Sequence, residues 1–329
     1  MKLPTLLSFA LTCGFAFCQG GSLTPPPGSP APTMKSLDQV EARTPLVEGA
    51  TGVSIIPGSG NITINQSGSY YLTKNLSVSS GAGVSIISDN VTLNLNGFTI
   101  HSDSNPTGGN GVFIASKSVT VMGGRIASQY DYETKSGSGF LNGIRGSGPG
   151  PIHIKNITIV GCTGDGIQLD QTPESLCSVE SCLVQSVGGI GIIAGTVRNS
   201  NTTKCESGGI KCLFAANCMA RTNSSNAIEA DLASNCYAYS ATGHGINGTS
   251  IINSHATTSE GTAIKGYYVA QSYGEANSGV GLDSDYLVVH SVGRTAVSDG
   301  NQKLSIKAGT AVACRAINIS SIINKYLMP

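Results

Sequence analysis

Three segments decide the fold: GIKCLFAANC at residues 209–218, AIEADLASNC at 227–236 and GINGTSIINS at 245–254. Each begins with a small residue followed by isoleucine, and each starts 18 residues after the one before. The aliphatic residue of this pair recurs at the same spacing as Ile192, Ile210, Ile228, Ile246, Ile264 and Leu282. A fixed period of this length is typical of a solenoid, in which each coil buries the faces of its neighbours.

Within one coil, we count positions from the aliphatic residue as position zero. Small or apolar side chains recur at positions zero, two, five, eight and ten, so the chain alternates like a strand around zero and again around eight. Position eight, for example, holds Cys218, Cys236, Ser254, Ser272 and His290. The pattern predicts three short strands per coil around a narrow interior filled by small residues.

Position seven holds an amide in successive coils. These residues are Asn199, Asn217, Asn235, Asn253 and Gln271. Stacked amides can hydrogen-bond to each other and to the backbone of a turn. We expect this amide ladder to hold a turn and not to form a site.

Two other solenoids with coils of this length do not fit the sequence. A left-handed hexapeptide helix needs an aliphatic residue every six positions, but Ser234 and Ser240 occupy two of those places. A calcium β-roll needs Asp in a Gly-rich nonapeptide, which the repeats lack. The sequence therefore predicts an all-β protein. Its fold is a single-stranded parallel β-helix, right-handed like parallel crossovers in general, with short 18-residue coils in its C-terminal half.

Four segments divide the 329-residue chain. They are residues 1–18, a signal peptide; 19–33, a Pro-rich linker; 34–50, an N-terminal capping segment; and 51–329, the parallel β-helix. Lys2 before the apolar run Leu6–Phe17 is typical of a secretory signal, which predicts a secreted or cell-surface location. The cap is expected because a solenoid needs its open ends covered, here by a short helix at 34–41. No later segment is long and apolar enough to span a membrane.

Charge and cysteine content limit the partners. The formal net charge is zero and 12% of residues are charged, without a basic stripe, so we expect no nucleic-acid partner.

Cys218 and Cys236 share one inward position on adjacent coils, about 5 Å apart. Their side chains point in parallel directions, which strains a disulfide. We expect them to be small buried apolar residues.

The chain resembles right-handed parallel β-helix proteins of the pectate-lyase-like superfamily, and within it secreted bacterial repeat proteins without assigned activity. The resemblance rests on the 18-residue repeats and on Pro32–Gln39, Gly68–Leu72, Asn90–Thr99 and Lys325–Pro329. It covers nearly all of the chain after residue 18. It implies the β-helix fold but no particular substrate, because function depends on sites built onto a fold.

Enzymes of that superfamily act mostly on acidic polysaccharides, and two short motifs resemble theirs. Gly243–Gly245 resembles the Gly-His-Gly of polygalacturonases, and Thr163–Gly166 resembles their Asn-Thr-Asp-Gly. Gly188 and Gly189 stand where the paired aspartates are expected. Glycoside hydrolysis needs two carboxylates flanking the bond, so the motifs do not favour a hydrolase.

Charged residues form one outward face at positions one and three. Its candidate ligand-binding residues are Asp231, Lys265, Asp283 and Asp285. Lys211 lies one coil from Glu229, and Lys265 one coil from Asp283, so ordinary surface salt bridges are the favoured interpretation. The alternative is that Lys265, Asp283 and Asp285 gather around an acidic sugar or a cation. Ca²⁺ is the only cofactor suggested, and it needs more oxygen ligands than these residues provide.

A second outward line at position nine is partly aromatic. It consists of Met219, Tyr237, His255 and Tyr273, with Tyr239 two residues beyond Tyr237 on the same side. Position four adds Phe214, Leu232, Tyr268 and Tyr286. Such a ladder either stabilises the stack of strands or forms a platform for sugar rings.

Three classes of function remain open at this point. We favour a secreted or surface protein that binds polysaccharide or another cell-surface glycan without catalysis, through Tyr237, Tyr239, His255, Tyr273 and the charged face. The alternatives are a lyase or hydrolase acting on acidic polysaccharide, and a structural or adhesive spacer. No catalytic residue is predicted.

Overall fold

The computed structural model describes residues 43–103, 109–148, 150–296, 305–317 and 323–324. The predicted signal peptide, the linker, the short helix at 34–41 and the C-terminal motif at 325–329 lie outside these residues. The described chain contains 30 strands and one 3-10 turn, Pro173–Ser175, and no α-helix.

The longer N-terminal coils contain fifteen strands. In chain order these are β1 (Thr44–Pro45), β2 (Val53–Ile56), β3 (Asn61–Ile64), β4 (Gly68–Tyr71), β5 (Leu76–Ser77), β6 (Val84–Ile86), β7 (Val91–Asn94), β8 (Thr99–His101), β9 (Asn110–Ile114), β10 (Val119–Ala127), β11 (Asn142–Gly146), β12 (Ile152–Val160), β13 (Ile167–Gln168), β14 (Ser178–Glu180) and β15 (Leu183–Val187).

The regular coils and the C-terminal end contain the other fifteen. These are β16 (Ile190–Arg198), β17 (Asn201–Cys205), β18 (Gly208–Ala216), β19 (Met219–Thr222), β20 (Ile228–Ser234), β21 (Tyr237–Ser240), β22 (Ile246–Ile252), β23 (His255–Thr258), β24 (Thr262–Ala270), β25 (Tyr273–Ala276), β26 (Val280–Val289), β27 (Val292–Thr295), β28 (Ile306–Val312), β29 (Arg315–Ile317) and β30 (Ile323–Asn324).

Strand pairing divides each regular coil into three segments. Strand β20 pairs in parallel with β18 and β22 through two separate stretches, 228–230 and 232–234, and β21 pairs in parallel with β19 and β23. The stretches equivalent to 228–230 form the first stack, and those equivalent to 232–234 form the second stack. The strands β19, β21 and β23 belong to the third stack. At the N-terminal end, β2 and β3 pair antiparallel. The predicted all-β parallel β-helix with three strand segments per coil is confirmed.

One aliphatic column runs along the inside of the first stack. Pairing aligns Ile62, Val84, Val112, Ile144, Ile167, Ile192, Ile210, Ile228, Ile246, Ile264, Leu282 and Ile306. None of these side chains is more than 3% exposed. The column therefore continues through the longer coils, whose extra residues lie between the strands and not in them.

A close approach between coils explains the small residue before each aliphatic residue. A Cβ added to Gly191 would lie 2.6 Å from the carbonyl oxygen of Gly209 in the next coil. Ala227 and Ala263 occupy the same place, so a single methyl group is the largest side chain found there in the regular coils. Neighbouring coils consequently stack at ordinary strand spacing, ~4.8 Å.

The predicted amide ladder forms the turn between the second and third stacks. Asn217, Asn235 and Asn253 have φ values of 53°, 53° and 48°, a left-handed conformation that Asn adopts more readily than most residues. Asn217 Nδ2 donates to Asn199 Oδ1 at 3.2 Å, and Asn253 Nδ2 donates to Asn235 Oδ1 at 2.6 Å.

Hydroxyl and thiol side chains follow each amide at position eight. Ser254 Oγ accepts from the backbone N–H of Cys236 at 3.2 Å and donates to the carbonyl of Ile252 at 2.9 Å. Cys236 Sγ makes the equivalent contact with the carbonyl of Ser234 at 3.2 Å. The eight cysteines of the described chain have free thiols, as expected for small buried residues. Burial raises the pKa of Cys162 to about 12 and that of Cys182 to about 11, which makes both thiols poor nucleophiles.

The predicted positions in the last regular coil are wrong beyond Ser284, because β26 contains an extra residue. Gly266 pairs with Ser284, but Tyr268 pairs with Leu287, so β26 contains a bulge. Counting from Leu282 with the 18-residue repeat puts His290 at position eight. The structure instead gives His290 the left-handed conformation of the amide turn, with φ of 45°, and places Ser291 at position eight. The extra residue moves every later position by one.

A hairpin-like insertion after β10 is fastened to a coil much further along the chain. Tyr130 Oη donates to Glu206 Oε2 at 2.5 Å, and Lys135 Nζ pairs with Glu206 Oε1 at 2.8 Å. Lys204 Nζ pairs with Glu133 Oε1 at 2.9 Å. The insertion therefore covers the third stack in this region.

Truncating one residue of the aliphatic column tests its role. Ile246→Ala should lower the free energy of unfolding by about 2–5 kcal/mol, because the stacked coils cannot close the cavity. Ile87→Ala, at a side chain that is 56% exposed, should change it by less than about 0.5 kcal/mol. Chemical denaturation followed by circular dichroism measures both. Equal unfolding midpoints for the two variants would contradict the account.

Candidate functional site

Three aromatic side chains form a column on the outer surface of the third stack. Tyr237 of β21, His255 of β23 and Tyr273 of β25 are aligned by strand pairing. The ring centroids of Tyr237 and His255 are 5.0 Å apart, and those of His255 and Tyr273 are 4.8 Å apart, with interplanar angles of 74° and 77°. Tyr237 is 44% exposed, and the other two rings are half-buried. The edge-to-face contacts hold the rings in place.

A groove of about 800 Å³ runs beside this aromatic column. One wall is the amide ladder from Asn199 to Gln271, continued by His290, and the other wall is the aromatic column with Asn201, Met219 and Val292 at its ends. The hydroxyl and thiol residues of position eight lie between the walls. The amides offer both donors and acceptors, and the rings offer apolar faces. The groove thus combines the two kinds of contact that a polyhydroxylated ring makes.

Two polar atoms in the wall of the groove are buried without a hydrogen-bond partner in the described chain. They are His255 Nε2 and Asn201 Oδ1. An unsatisfied buried polar atom costs about 1–3 kcal/mol. Burial also lowers the pKa of His255, so the imidazole is neutral at neutral pH. Because both atoms are buried, a hydrogen bond from the groove would require neighbouring side chains to move.

Charged neighbours fix the outer ends of two tyrosines on this face. Tyr273 Oη donates to Glu275 Oε2 at 3.0 Å, and Arg294 Nη1 pairs with Glu275 Oε1 at 3.1 Å. The guanidinium of Arg221 lies 4.9 Å from the centroid of the Tyr239 ring. Both contacts order the face before any ligand binds, which reduces the entropy lost on binding.

The structure places the predicted ligand-binding residues in two separate groups. Tyr237, Tyr239, His255 and Tyr273 lie on the third stack, whereas Asp231, Lys265, Asp283 and Asp285 belong to the strands of the first and second stacks. Asp231 borders a smaller groove of about 420 Å³ on that side. Sequence reasoning treated the amide ladder as structural only. It missed that the same amides form a wall of the larger groove, because positions seven and nine face one another only once the turn is formed.

The charged face contains one expected ion pair and one unexpected one. Lys211 Nζ lies 3.2 Å from Glu229 Oε1, as the spacing predicts. Asp283 pairs instead with Lys307 of the following coil, at 3.2 Å, and not with Lys265. Leu282 and Ile306, which pair between these two coils, are 24 residues apart in the sequence and not 18, so the repeat spacing did not bring Lys307 into the alignment. The described residues contain no group of three or more His, Cys, Asp or Glu side chains arranged for a metal. A Ca²⁺ site stays a prediction.

The two polygalacturonase-like motifs have structural roles. His244 Nδ1 accepts from the backbone N–H of Thr262 at 3.3 Å. Asp165 Oδ1 accepts from the backbone N–H of Ile190 at 2.7 Å. Asn142 makes the same contact with Asp165, at 3.0 Å, one coil earlier. These side chains occupy one position, two residues before the aliphatic column, and each one caps the backbone of the next coil.

Comparisons with known proteins leave the function open. No family model matches the chain, and no curated protein is significantly similar to it. Among solved structures, the chain resembles a crystal structure of a periplasmic alginate epimerase variant, with a TM-score of 0.35 and 9% sequence identity. The match covers 82% of this chain and 68% of that one. At these values the likeness carries no argument about activity. In the described residues, no helix is long and apolar enough to cross a membrane.

The capping role of His244 predicts a pH-dependent stability. Burial is the main cause that lowers the pKa of His244, and Lys265 adds to it; burial lowers that of His255 as well. The unfolded chain therefore binds these protons more strongly. The free energy of unfolding should be constant above about pH 7 and fall as the pH drops below 6.5, the ordinary value for His.

Replacement of both histidines isolates this effect. His244→Asn removes the titrating ring but keeps a side-chain hydrogen-bond acceptor. Asn226 shows that Asn suits this position, because its Oδ1 accepts from the backbone N–H of His244 at 3.1 Å one coil earlier. Chemical denaturation between pH 5 and 7.5 should show that the free energy of unfolding falls less on acidification for His244→Asn than for the native chain. The fall should be smallest for the double variant His244→Asn, His255→Gln. An unchanged pH profile in the double variant would rule out the proposed linkage.

Proposed function

We propose that the protein binds polysaccharide, without catalysis, along the groove between the amide ladder and the aromatic column. The observation that carries the proposal is the column of Tyr237, His255 and Tyr273 in edge-to-face contact beside a continuous wall of amides. The aromatic column lies outside the hydrophobic core, and the amides, besides holding the turn, are exposed to the same groove.

The repeat of the coils explains why a polymer suits this groove. Each coil adds one amide and one outward residue at position nine, at a spacing of ~4.8 Å along the axis. An extended chain of sugar rings meets an amide at each coil and an aromatic ring at the three successive coils of Tyr237, His255 and Tyr273. Its hydroxyl groups can pair with the exposed amides, and its apolar ring faces can pack on the tyrosines.

The composition of the groove favours binding over hydrolysis. No carboxylate lines the groove in the described chain. Glycoside hydrolysis needs an acid and a second carboxylate on either side of the bond. Glu275 is the acidic residue of β25, the strand that carries Tyr273. Its carboxylate pairs with Arg294 and accepts a hydrogen bond from Tyr273. His244 and Asp165, the residues of the enzyme-like motifs, cap turns instead.

Two alternatives remain as outcomes of the test. A lyase or hydrolase acting on acidic polysaccharide would use the charged face of Asp231, Lys265, Asp283 and Asp285. A structural or adhesive spacer would use neither surface. Secretion, and membership of the pectate-lyase-like superfamily in a subgroup without assigned activity, stay proposals that rest on residues 1–18 and on the sequence motifs.

Retention on insoluble polysaccharides tests the proposal. The full chain should be retained by at least one member of a panel of neutral and acidic polysaccharides without releasing new reducing or unsaturated ends. The double variant Tyr237→Ala, Tyr273→Ala should lose retention at least tenfold, equivalent to about 1.4 kcal/mol. Phe214→Ala removes an equally exposed ring from the second stack and serves as the matched control.

Circular dichroism and thermal unfolding establish that each variant is folded. Undiminished retention by a folded double variant would reject the groove as the binding site. New reducing or unsaturated ends would reject the non-catalytic function and favour the enzyme alternative. No retention on any member of the panel would favour the spacer.

A further inference from the structure

Two exposed tyrosines stack face to face on the side of the molecule that carries the charged residues. The ring centroids of Tyr267 and Tyr286 are 5.0 Å apart, and the ring planes are within 4° of parallel. The side chains are 52% and 55% exposed, more than any other aromatic side chain of the described chain. Sequence reasoning did not single out this pair, because it aligned Tyr286 with Tyr268.

The bulge in β26 creates the pair. Gly266 pairs with Ser284 and Tyr268 with Leu287, so that both Asp285 and Tyr286 lie opposite Tyr267. Without the extra residue, strand alternation would align Tyr286 with Tyr268 in the second stack. The bulge re-aims Tyr286 so that it lies against the ring of Tyr267. Bulges that redirect a side chain are frequent at functional positions.

The next coil leaves the outer side of this pair uncovered. Gly309 stands opposite Tyr286, between Ala308, which pairs with Ser284, and Thr310, which pairs with Leu287. It has no side chain to lie over the ring, and a Cβ there would come within 2.9 Å of the Tyr286 carbonyl oxygen. On the other side, the small residue Thr249 stands opposite Tyr267. Among the described residues, the stack is therefore two rings long and open at the Gly309 end.

Charged side chains of both signs lie on the same side of the molecule as the two rings. Lys265 is exposed and lies two residues before Tyr267, on the same side of β24. No ion pair of Lys265 is found among the described residues, since Lys307 pairs with Asp283 in its place. Asp285 is exposed beside Tyr286. Lys265 therefore lies beside the covered ring, Tyr267, whereas Lys307 of the following coil lies on the open side, where its ammonium pairs with Asp283.

We propose that the Tyr267–Tyr286 pair is a second carbohydrate subsite, which takes a single pyranose ring on the open face of Tyr286. The apolar face of the sugar would pack against the tyrosine ring, as sugars and other rings do on exposed aromatic surfaces. The carboxylate of Asp285 would accept from sugar hydroxyls, and the ammonium of Lys307, which lies on the coil at the open side, would donate to sugar oxygens. This subsite lies on different strands from the groove and does not depend on the groove binding a glycan.

Stacking chemistry separates this proposal from simple packing. The sequence contains no Trp, so intrinsic fluorescence reports mainly tyrosine. The full chain is titrated with two soluble probes, a hexasaccharide of neutral glucose and a hexasaccharide of galacturonic acid. Fluorescence and the ring resonances of tyrosine in NMR spectra follow binding.

Three substitutions at one position give the expected pattern. Tyr286→Ser should weaken binding of at least one probe tenfold or more, and Tyr286→Leu, which keeps the apolar area but not the aromatic face, should weaken it similarly. Tyr286→Phe should stay within about twofold of the native chain. Tyr237→Ser, in the groove, is the matched control and should leave the shifts of the Tyr286 ring resonances unchanged. Thermal unfolding confirms that each variant is folded.

Several outcomes would overturn the proposal. The proposal would be wrong if neither probe shifted the Tyr286 ring resonances. It would also be wrong if Tyr286→Ser bound both probes with the affinity of the native chain. Equal affinities for the Phe and Leu variants would show that the ring is only an apolar surface. A concentration-dependent dimer that Tyr286→Ser abolishes would assign the pair to self-association. Loss of binding in Tyr237→Ser alone would support the groove and reject this second subsite, so the two sites are tested separately.

Discussion

Burial of one aliphatic side chain per coil is the constraint on which the rest of the structure depends. A coil of 18 residues encloses too little volume for a core of its own, so its inward side chains, the aliphatic residue foremost, are shielded from water by the equivalent residues of the coils before and after it. Such a column stabilises the fold only if the coils stay in register. The small residue before each aliphatic side chain and the capped turns keep that register at the spacing of paired strands.

Register in the core imposes register on the surface. Because each inward position recurs at ~4.8 Å, each outward position does so as well, and one suitable side chain per repeat becomes a continuous row. The amide ladder is such a row, and so is the column of Tyr237, His255 and Tyr273. The amides first hold the left-handed turn and hydrogen-bond to one another, and their exposed edges are then available to a ligand. The proposed binding groove is in this sense a by-product of how the coils are stacked.

Much of the fold follows from the sequence because the same physical requirement recurs in every coil. The aliphatic column, the three strand segments and the amide turn were all predicted from spacing alone. The bulge in β26 was not, since one extra residue among apolar and polar neighbours leaves no clear break in the pattern. That single insertion moved His290 into the turn and brought Tyr286 onto Tyr267. Asp283 was likewise paired wrongly, because the following coil is longer than its neighbours. The aromatic column was correctly identified as a row, but its partner wall of amides became apparent only when the turn placed the two rows side by side.

The central claim, that a polysaccharide lies along this groove, is tested most directly by locating the ligand on the native chain. Hydroxyl-radical footprinting of the full chain, free and bound to a polysaccharide that retains it, measures the solvent exposure of each tyrosine. The account predicts protection of Tyr237 and Tyr273 with unchanged oxidation of Phe214 on the second stack. Protection confined to the strands that carry Asp231 and Asp285, with Tyr237 oxidised as in the free chain, would contradict it.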